Sequence, residues 1–377
     1  MINSWRWIFY LNIPICGLAL GGLVLFMRMN KGNGGIQQTW KSKLGKVDCL
    51  GNLLFIPSVI SVLLGLVMGG IEHPWSSWRI VIPLVLGIVG WIGFHLLQSF
   101  VSSPSVPTRL FNNRTSAIGY VLTFLSSVLI QAISYFLPVY FQAVKGTTVL
   151  ESGTFFLPYA IGTLFFAIVG GVMLSTLGKY KLIHAAAFGL SAIGTGLFTL
   201  LDSNTSKVAW VFYQLITSAG LGLSVSAMLP AIMAGLPESD VAGITALYAF
   251  VRTFGYVWGV TLASIIFNAA FNSNLQLISD SSLRDRLTNG AAYAFASEVH
   301  GLRGEFSPEI WGEVQQVYMK SLNTIWWVCL GISIVGFCAV WGERSLELRT
   351  ELETEYGLEE RAQEDATLEG QKPQTTQ

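Results

Sequence analysis

The sequence predicts an all-α integral membrane protein with nine transmembrane helices. Three observations carry that expectation. Of 377 residues, 52% are hydrophobic and 12% charged, against about 25% charged in a soluble domain, and mean hydropathy is +0.55. The apolar residues gather into nine runs, each near the ~20 residues a helix needs to cross the hydrocarbon core. The 39 glycines and 12 tryptophans suit the same solvent, since Gly lets spanning helices approach closely and Trp favours the membrane–water boundary.

In chain order the runs are 7–27, 50–70, 80–101, 117–141, 153–174, 182–201, 208–230, 241–267 and 322–341. The first is too long for a signal-peptide core, and Trp5-Arg6-Trp7 makes a poor basic leader. Lys and Arg in the connecting segments set the orientation. Arg28, Lys31, Lys41, Lys43 and Lys46 follow the first run, and Arg109 and Arg114 the third. Lys179 and Lys181 follow the fifth, and Arg344 and Arg349 the ninth, all on one face. The short segments of the other face hold only Arg6, Arg79, Lys145 and Lys207. The C-terminus is therefore expected in the cytosol and the N-terminus outside. Trp75, Trp78, Trp326 and Trp327 read as interfacial anchors. Residues 268–321 read as an extramembrane loop in which 308–319 forms a short amphipathic helix lying on the surface. Residues 343–377 read as an acidic cytosolic tail with a short helical start followed by disorder.

No long basic run points to nucleic acid. Cys16, Cys49, Cys329 and Cys338 have no metal-ligand spacing and read as small core residues. The four histidines are equally dispersed. Phosphate loops, dinucleotide fingerprints and nucleophile elbows are all missing from the sequence, so neither an enzyme nor a cofactor is expected. The partners expected are the lipid bilayer and a small-molecule substrate.

Several stretches resemble one family. Trp5-Arg6-Trp7, with Asn12 and Pro14 following, resembles a signature of the fourteen-helix drug:proton antiporters of the major facilitator superfamily. Pro138, Tyr140, Phe141 and Gln142 lie in the most specific match, 135–146, and the pattern is similar to fungal efflux pumps. The resemblance implies a partial major facilitator bundle. Residues 1–27 would be the last helix of the N-terminal half, 28–46 a basic cytosolic loop, and 47–101 two linker helices. Residues 102–342 would form the C-terminal six-helix bundle, the whole being an N-terminally truncated version or degenerate copy. The turn 171–181 is similar to a charged turn of the superfamily, but Ser175 stands where the acid would be. Efflux of drugs, toxins or secondary metabolites, protons as the coupling ion, and the plasma membrane ahead of the vacuolar membrane are all implied by the resemblance alone. Import of a siderophore or other solute, and a truncated protein that transports nothing, stand as alternatives.

The residues themselves offer a cavity. Phe124, Gln131, Ser134 and Tyr135 recur on one face of the fourth run, mixing ring surface with polar groups. Ordinary interhelical hydrogen bonding is the competing reading. Gln214 heads a similar stripe in the seventh run, where small residues favour packing. Tyr248 and Arg252 share a face of the eighth run with Gly255 and Gly259. Arg252 is open to two readings: a binding or coupling group, or a structural arginine bonded to carbonyls or reaching toward the cytosol. Gly17 with Gly21, Gly65 with Gly69, and Gly255 with Gly259 are spaced for helix packing. No Asp or Glu falls well inside any run.

Overall fold

The structure, a computed structural model, describes residues 6–26, 48–101, 104–288, 290–302, 304 and 306–348. It is all-α with nine helices among the described residues long and apolar enough to span a bilayer. Residues 47–350 form one compact unit, and the first helix belongs to another. That helix, α1 (Trp7–Phe26), exposes apolar side chains on every side and carries Pro14 inside it. Among the described residues a Cβ at Gly17 or Gly21 would meet nothing within 4 Å. Trp5 and the basic segment 28–46 lie outside the described residues.

Helices α2 (Cys49–Met68) and α3 (Trp78–Gln98) form a hairpin. Gly65 packs on Leu84, while Gly87 lies on the Ser58 carbonyl. Gly69 has a different task from the packing expected of it. It follows the last turn of α2, and with Gly70 (φ 74°) it forms a flat seat for the Trp75 ring. The foot of the hairpin is polar. Asp48 caps α2 by accepting from the Gly51 amide at 2.7 Å, and it also accepts from Gln98 Nε2 and from Ser105 Oγ. Those donors, Gln98 foremost, hold its carboxyl below the usual carboxylate range.

The remaining spans are α4 (Arg114–Val139), α5 (Val149–Leu177), α6 (Tyr180–Phe198), α7 (Lys207–Met233) and α8 (Val241–Asn274). Two short helices follow, α9 (Ser281–Leu287) and α10 (Ala291–Leu302), and then the last span, α11 (Pro308–Val340). The central helices are α4 and α7, which bury 61% and 67% of their apolar windows. Small residues make this possible. Gly220 of α7 fits against Ser191 and Ala187 of α6, and Gly222 against the Thr163 carbonyl of α5. Gly255 and Gly259 of α8 lie on the Phe124 and Val128 carbonyls of α4.

Three expectations are corrected here. Residues 308–319 are no surface helix but the first turns of α11, because Trp311, Val314, Val317 and Tyr318 are buried against the bundle. The segment 268–321 is accordingly mostly helical, with α8 running on to Asn274 and α10 burying Phe295 and Val299. The start of the tail is not helical. Residues 343–348 run without regular structure, and Glu343 is buried against His184. Of the cysteines only Cys329 is in the core, while Cys16, Cys49 and Cys338 are exposed on apolar helix surfaces.

Candidate functional site

The polar face expected of α4 and α8 exists as an interhelical seam. Gly255 brings α8 onto Phe124 and Ser127, and one turn on, a Cβ at Gly259 would stand 3.0 Å from Gln131 Cβ. Close approach of the two backbones places the longer side chains at the edges of the seam. Gln131 is half-buried, and its amide makes no hydrogen bond among the described residues. Phe124 is half-buried with its ring 6.1 Å from that of Phe254. Ser134 spends its hydroxyl on the Ile130 carbonyl at 2.7 Å. Tyr135 points outward, 42% exposed, and does not join the seam.

Arg252 sits in mid-helix on α8, half-buried, with Tyr248 buried one turn below it. Its Nε donates to the Tyr256 hydroxyl at 2.8 Å, and the guanidinium lies 5.7 Å from the Tyr256 ring centroid. Tyr256 escaped the sequence reading, although it stands four residues beyond Arg252, the spacing at which helical side chains meet. A charge at such a depth costs about 2.5–3.5 kcal/mol on insertion. Two phenols offset part of that cost. Neither reading of Arg252 as a carbonyl-bonded arginine nor as one reaching back along α8 describes this geometry. The guanidinium lies between Tyr248 and Tyr256 and engages both hydroxyls.

Gln214 departs from the cavity reading. It is fully buried, donates to the Phe155 carbonyl at 3.0 Å, and so struts α7 against α5. Tyr159 of α5, also unanticipated, is buried with its hydroxyl facing the Ile130 carbonyl of α4.

The motif Tyr140-Phe141-Gln142 seals one end of the bundle. Pro138 cannot donate within α4, and two residues later the helix widens to a π turn over Tyr140–Val144. That turn aims Tyr140 at the Asp202 carbonyl at 2.8 Å, and Phe141 at Trp210, ring centroids 5.0 Å apart. Gln142 Nε2 donates to Ser152 at the start of α5. Lys145 closes the seal, donating to the Ser203 and Thr205 carbonyls at 2.8 and 2.7 Å. From the other side Gln315 of α11 donates to the Val144 carbonyl, and His300 of α10 meets the Gly146 carbonyl at 2.8 Å.

The opposite end is held by the segment after α11. His184 Nδ1 lies 3.0 Å from both carboxylate oxygens of Glu343, and both residues are buried. Lys181 Nζ donates to the Glu343 carbonyl at 2.7 Å, and the Arg344 amide to Thr115 Oγ1 at 3.1 Å. The Tyr180 hydroxyl bridges the Arg344 carbonyl and the Leu346 amide. A cavity of about 970 Å³ opens beside this segment, lined by Leu174, Lys179, Lys181, Trp341 and Leu346 among others. It lies at the rim and does not include the α4–α8 seam.

A profile described as Major Facilitator Superfamily matches residues 1–260. The chain belongs to that superfamily. Among curated relatives, it is 41% identical to the MFS-type efflux pump LUC4 of a Fusarium species over 95% of its length. It is 40% identical to the MFS efflux transporter aclA of Aspergillus oryzae over 94%. It is 38% identical to the acurin A biosynthesis cluster MFS-type transporter of Aspergillus aculeatus, again over 94%. The chain spans 63% of the length of the first of these and 64% of the other two. Within a superfamily protein the seam and the seal have distinct standing. The seal spends its polar groups on backbone carbonyls and a hydroxyl of neighbouring segments, whereas the seam leaves the Gln131 amide without a partner and the Arg252 charge without a carboxylate among the described residues.

Proposed function

We propose that this multi-pass membrane chain belongs to an exporter of small amphipathic molecules, secondary metabolites among them, working by alternating access. The observation that carries the proposal is the half-buried seam of α4 and α8, where Phe124 supplies ring surface, the Gln131 amide has no partner among the described residues, and Arg252, held by two phenols, carries a charge that no carboxylate there neutralises. Such a surface suits a ligand with an apolar body and few polar groups. The names of the relatives support the direction, outward. On this reading the chain moves molecules without transforming them. Proton antiport is the coupling when the transporter is complete, the plasma membrane is the site of action, and the C-terminus faces the cytosol. The two helices α2 and α3 act as linkers and the six spans from α4 to α11 as the transporting half.

The test uses the chain reconstituted in vesicles carrying a pH gradient, with a fluorescent amphipathic dye as cargo. Gradient-driven dye movement toward the face opposite the C-terminus is expected, altered in Gln131→Ala and Arg252→Gln. Unaltered movement in both variants sinks the seam as the site. Accumulation on the C-terminal face makes the chain an importer, and persistence of transport after the pH gradient is collapsed removes proton coupling. Dye binding without movement makes it a non-transporting membrane protein.

A further inference from the structure

We propose that Arg252, set between Tyr248 and Tyr256 on α8, is a binding site for a carboxylate, so that the molecules this chain handles are amphipathic acids. The inference rests on the transport reading only in calling the ligand a cargo. The site itself rests on geometry.

An arginine guanidinium carries five N–H donors in a planar fork and never loses its charge. Here Nε is committed to the Tyr256 hydroxyl at 2.8 Å. The Tyr248 hydroxyl engages the guanidinium from the other side, and no carboxylate does so among the described residues. The ion pairs found there are Arg109 with Asp240 and His184 with Glu343, and neither reaches Arg252. The phenols of Tyr248 and Tyr256 flank the guanidinium and orient it, and they leave its charge uncompensated. Reach to water along the helix does not answer the charge either. Arg252 lies eleven residues beyond Val241, about 16 Å along the axis, and its bonds to Tyr248 and Tyr256 hold it at that depth.

What such a fork accepts is a planar anion, because two parallel N–H groups match the two oxygens of a carboxylate. The rings beside it are the phenols of Tyr248 and Tyr256, whose faces offer an acid with an apolar body a contact that a small hydrophilic anion cannot use. Gln131 faces Gly259, seven residues beyond Arg252 and about 10 Å along α8. Its free amide is placed to meet a second polar group on an elongated ligand.

The experiment titrates the purified chain, in phosphatidylcholine nanodiscs, with dansylaminoundecanoic acid and with its methyl ester, following dansyl fluorescence. The acid is expected to bind about ten-fold tighter than the ester, the worth of one charge-assisted bidentate contact. Arg252→Gln should bring the two probes within about two-fold of each other by weakening the acid alone. Tyr256→Phe, which keeps the charge but releases Nε, should weaken the acid by about three-fold and leave the ester unchanged. Equal binding of acid and ester to the unaltered chain overturns the proposal, and this comparison needs no variant to fold. An acid preference that survives Arg252→Gln in a protein with unaltered thermal unfolding overturns it as well. Flux of the same two probes in vesicles separates the two readings. Movement of both without preference removes the carboxylate site and keeps transport. Preferential binding without movement keeps the site and removes transport.

Discussion

The sealed end of the bundle and the seam between α4 and α8 are built from the same kinds of residue and end in opposite states. At the seal a Tyr, a Gln and a Lys each reach a backbone carbonyl or a hydroxyl of another segment. At the seam a Tyr, a Gln and an Arg stand on two helices joined by glycines; the Arg meets only the phenols of its own helix, and the Gln has no partner among the described residues. Burial does not separate them, since Gln142, Lys145, Gln131 and Arg252 are all half-buried. Saturation does. A polar group that has found its partner stabilises the fold, and one that has not keeps its donors for a ligand.

Four substitutions press on this contrast. The largest effect is expected from Gly259→Val, whose Cβ would stand 2.6 Å from the Val128 carbonyl. Forcing α8 off α4 should cost about 3 kcal/mol and abolish dye binding, read by thermal unfolding and titration. Survival of both would mean that the seam does not depend on close packing. Lys145→Ala should follow, with a loss of about 2 kcal/mol from two charge-assisted bonds to carbonyls, yet with dye affinity intact in the folded fraction. Weakened affinity at that position would break the division between seal and seam. Gln131→Ala is expected to invert the pattern, changing stability by under about 0.5 kcal/mol while lowering affinity for polar-tailed dyes. The smallest effect concerns pH at the foot of the linker hairpin. The Asp48 carboxyl is held below its usual range by Gln98 and Gly51. Its contribution is therefore full above about pH 4, the unfolded value, and fades as pH falls through the lower folded value. Asp48→Asn should flatten the acid limb of the stability profile and leave binding untouched, a difference that urea titration of both proteins at successive pH values would reveal.

Most of the fold was legible because lipid writes a coarse rule into the chain. All nine runs return as spanning helices, with ends that differ by a few residues, as at α8 and α11. The errors fall where apolar length stops being the signal. Trp311, Val314 and Tyr318 alternate with charges, so the pattern resembles a surface helix, and only the tertiary fold shows that this face is buried, with Tyr318 against Phe267 and Phe271 of α8 and bonded to the Ala292 carbonyl of α10. For the site, helical spacing placed Tyr248, Arg252, Gly255 and Gly259 together, since one helix fixes their relation. It had no means of finding that Gln214 meets Phe155, or that Tyr135 turns outward, because those depend on which neighbour each helix acquires. His184 and Glu343 are 159 residues apart and carry no local motif.

That last pair has a mechanical meaning. By joining the starts of α4 and α6 to the end of α11 through Thr115, Tyr180, Lys181 and His184, residues 343–348 work as a crossbar over three helix ends. Any rocking that opens the molecule there must carry the three as a single lever or first unbolt the crossbar. A reporter group fixed to Leu346 would then follow the motion of α6, while one on α5 across the turn at Gly178 would be free to trace a different arc.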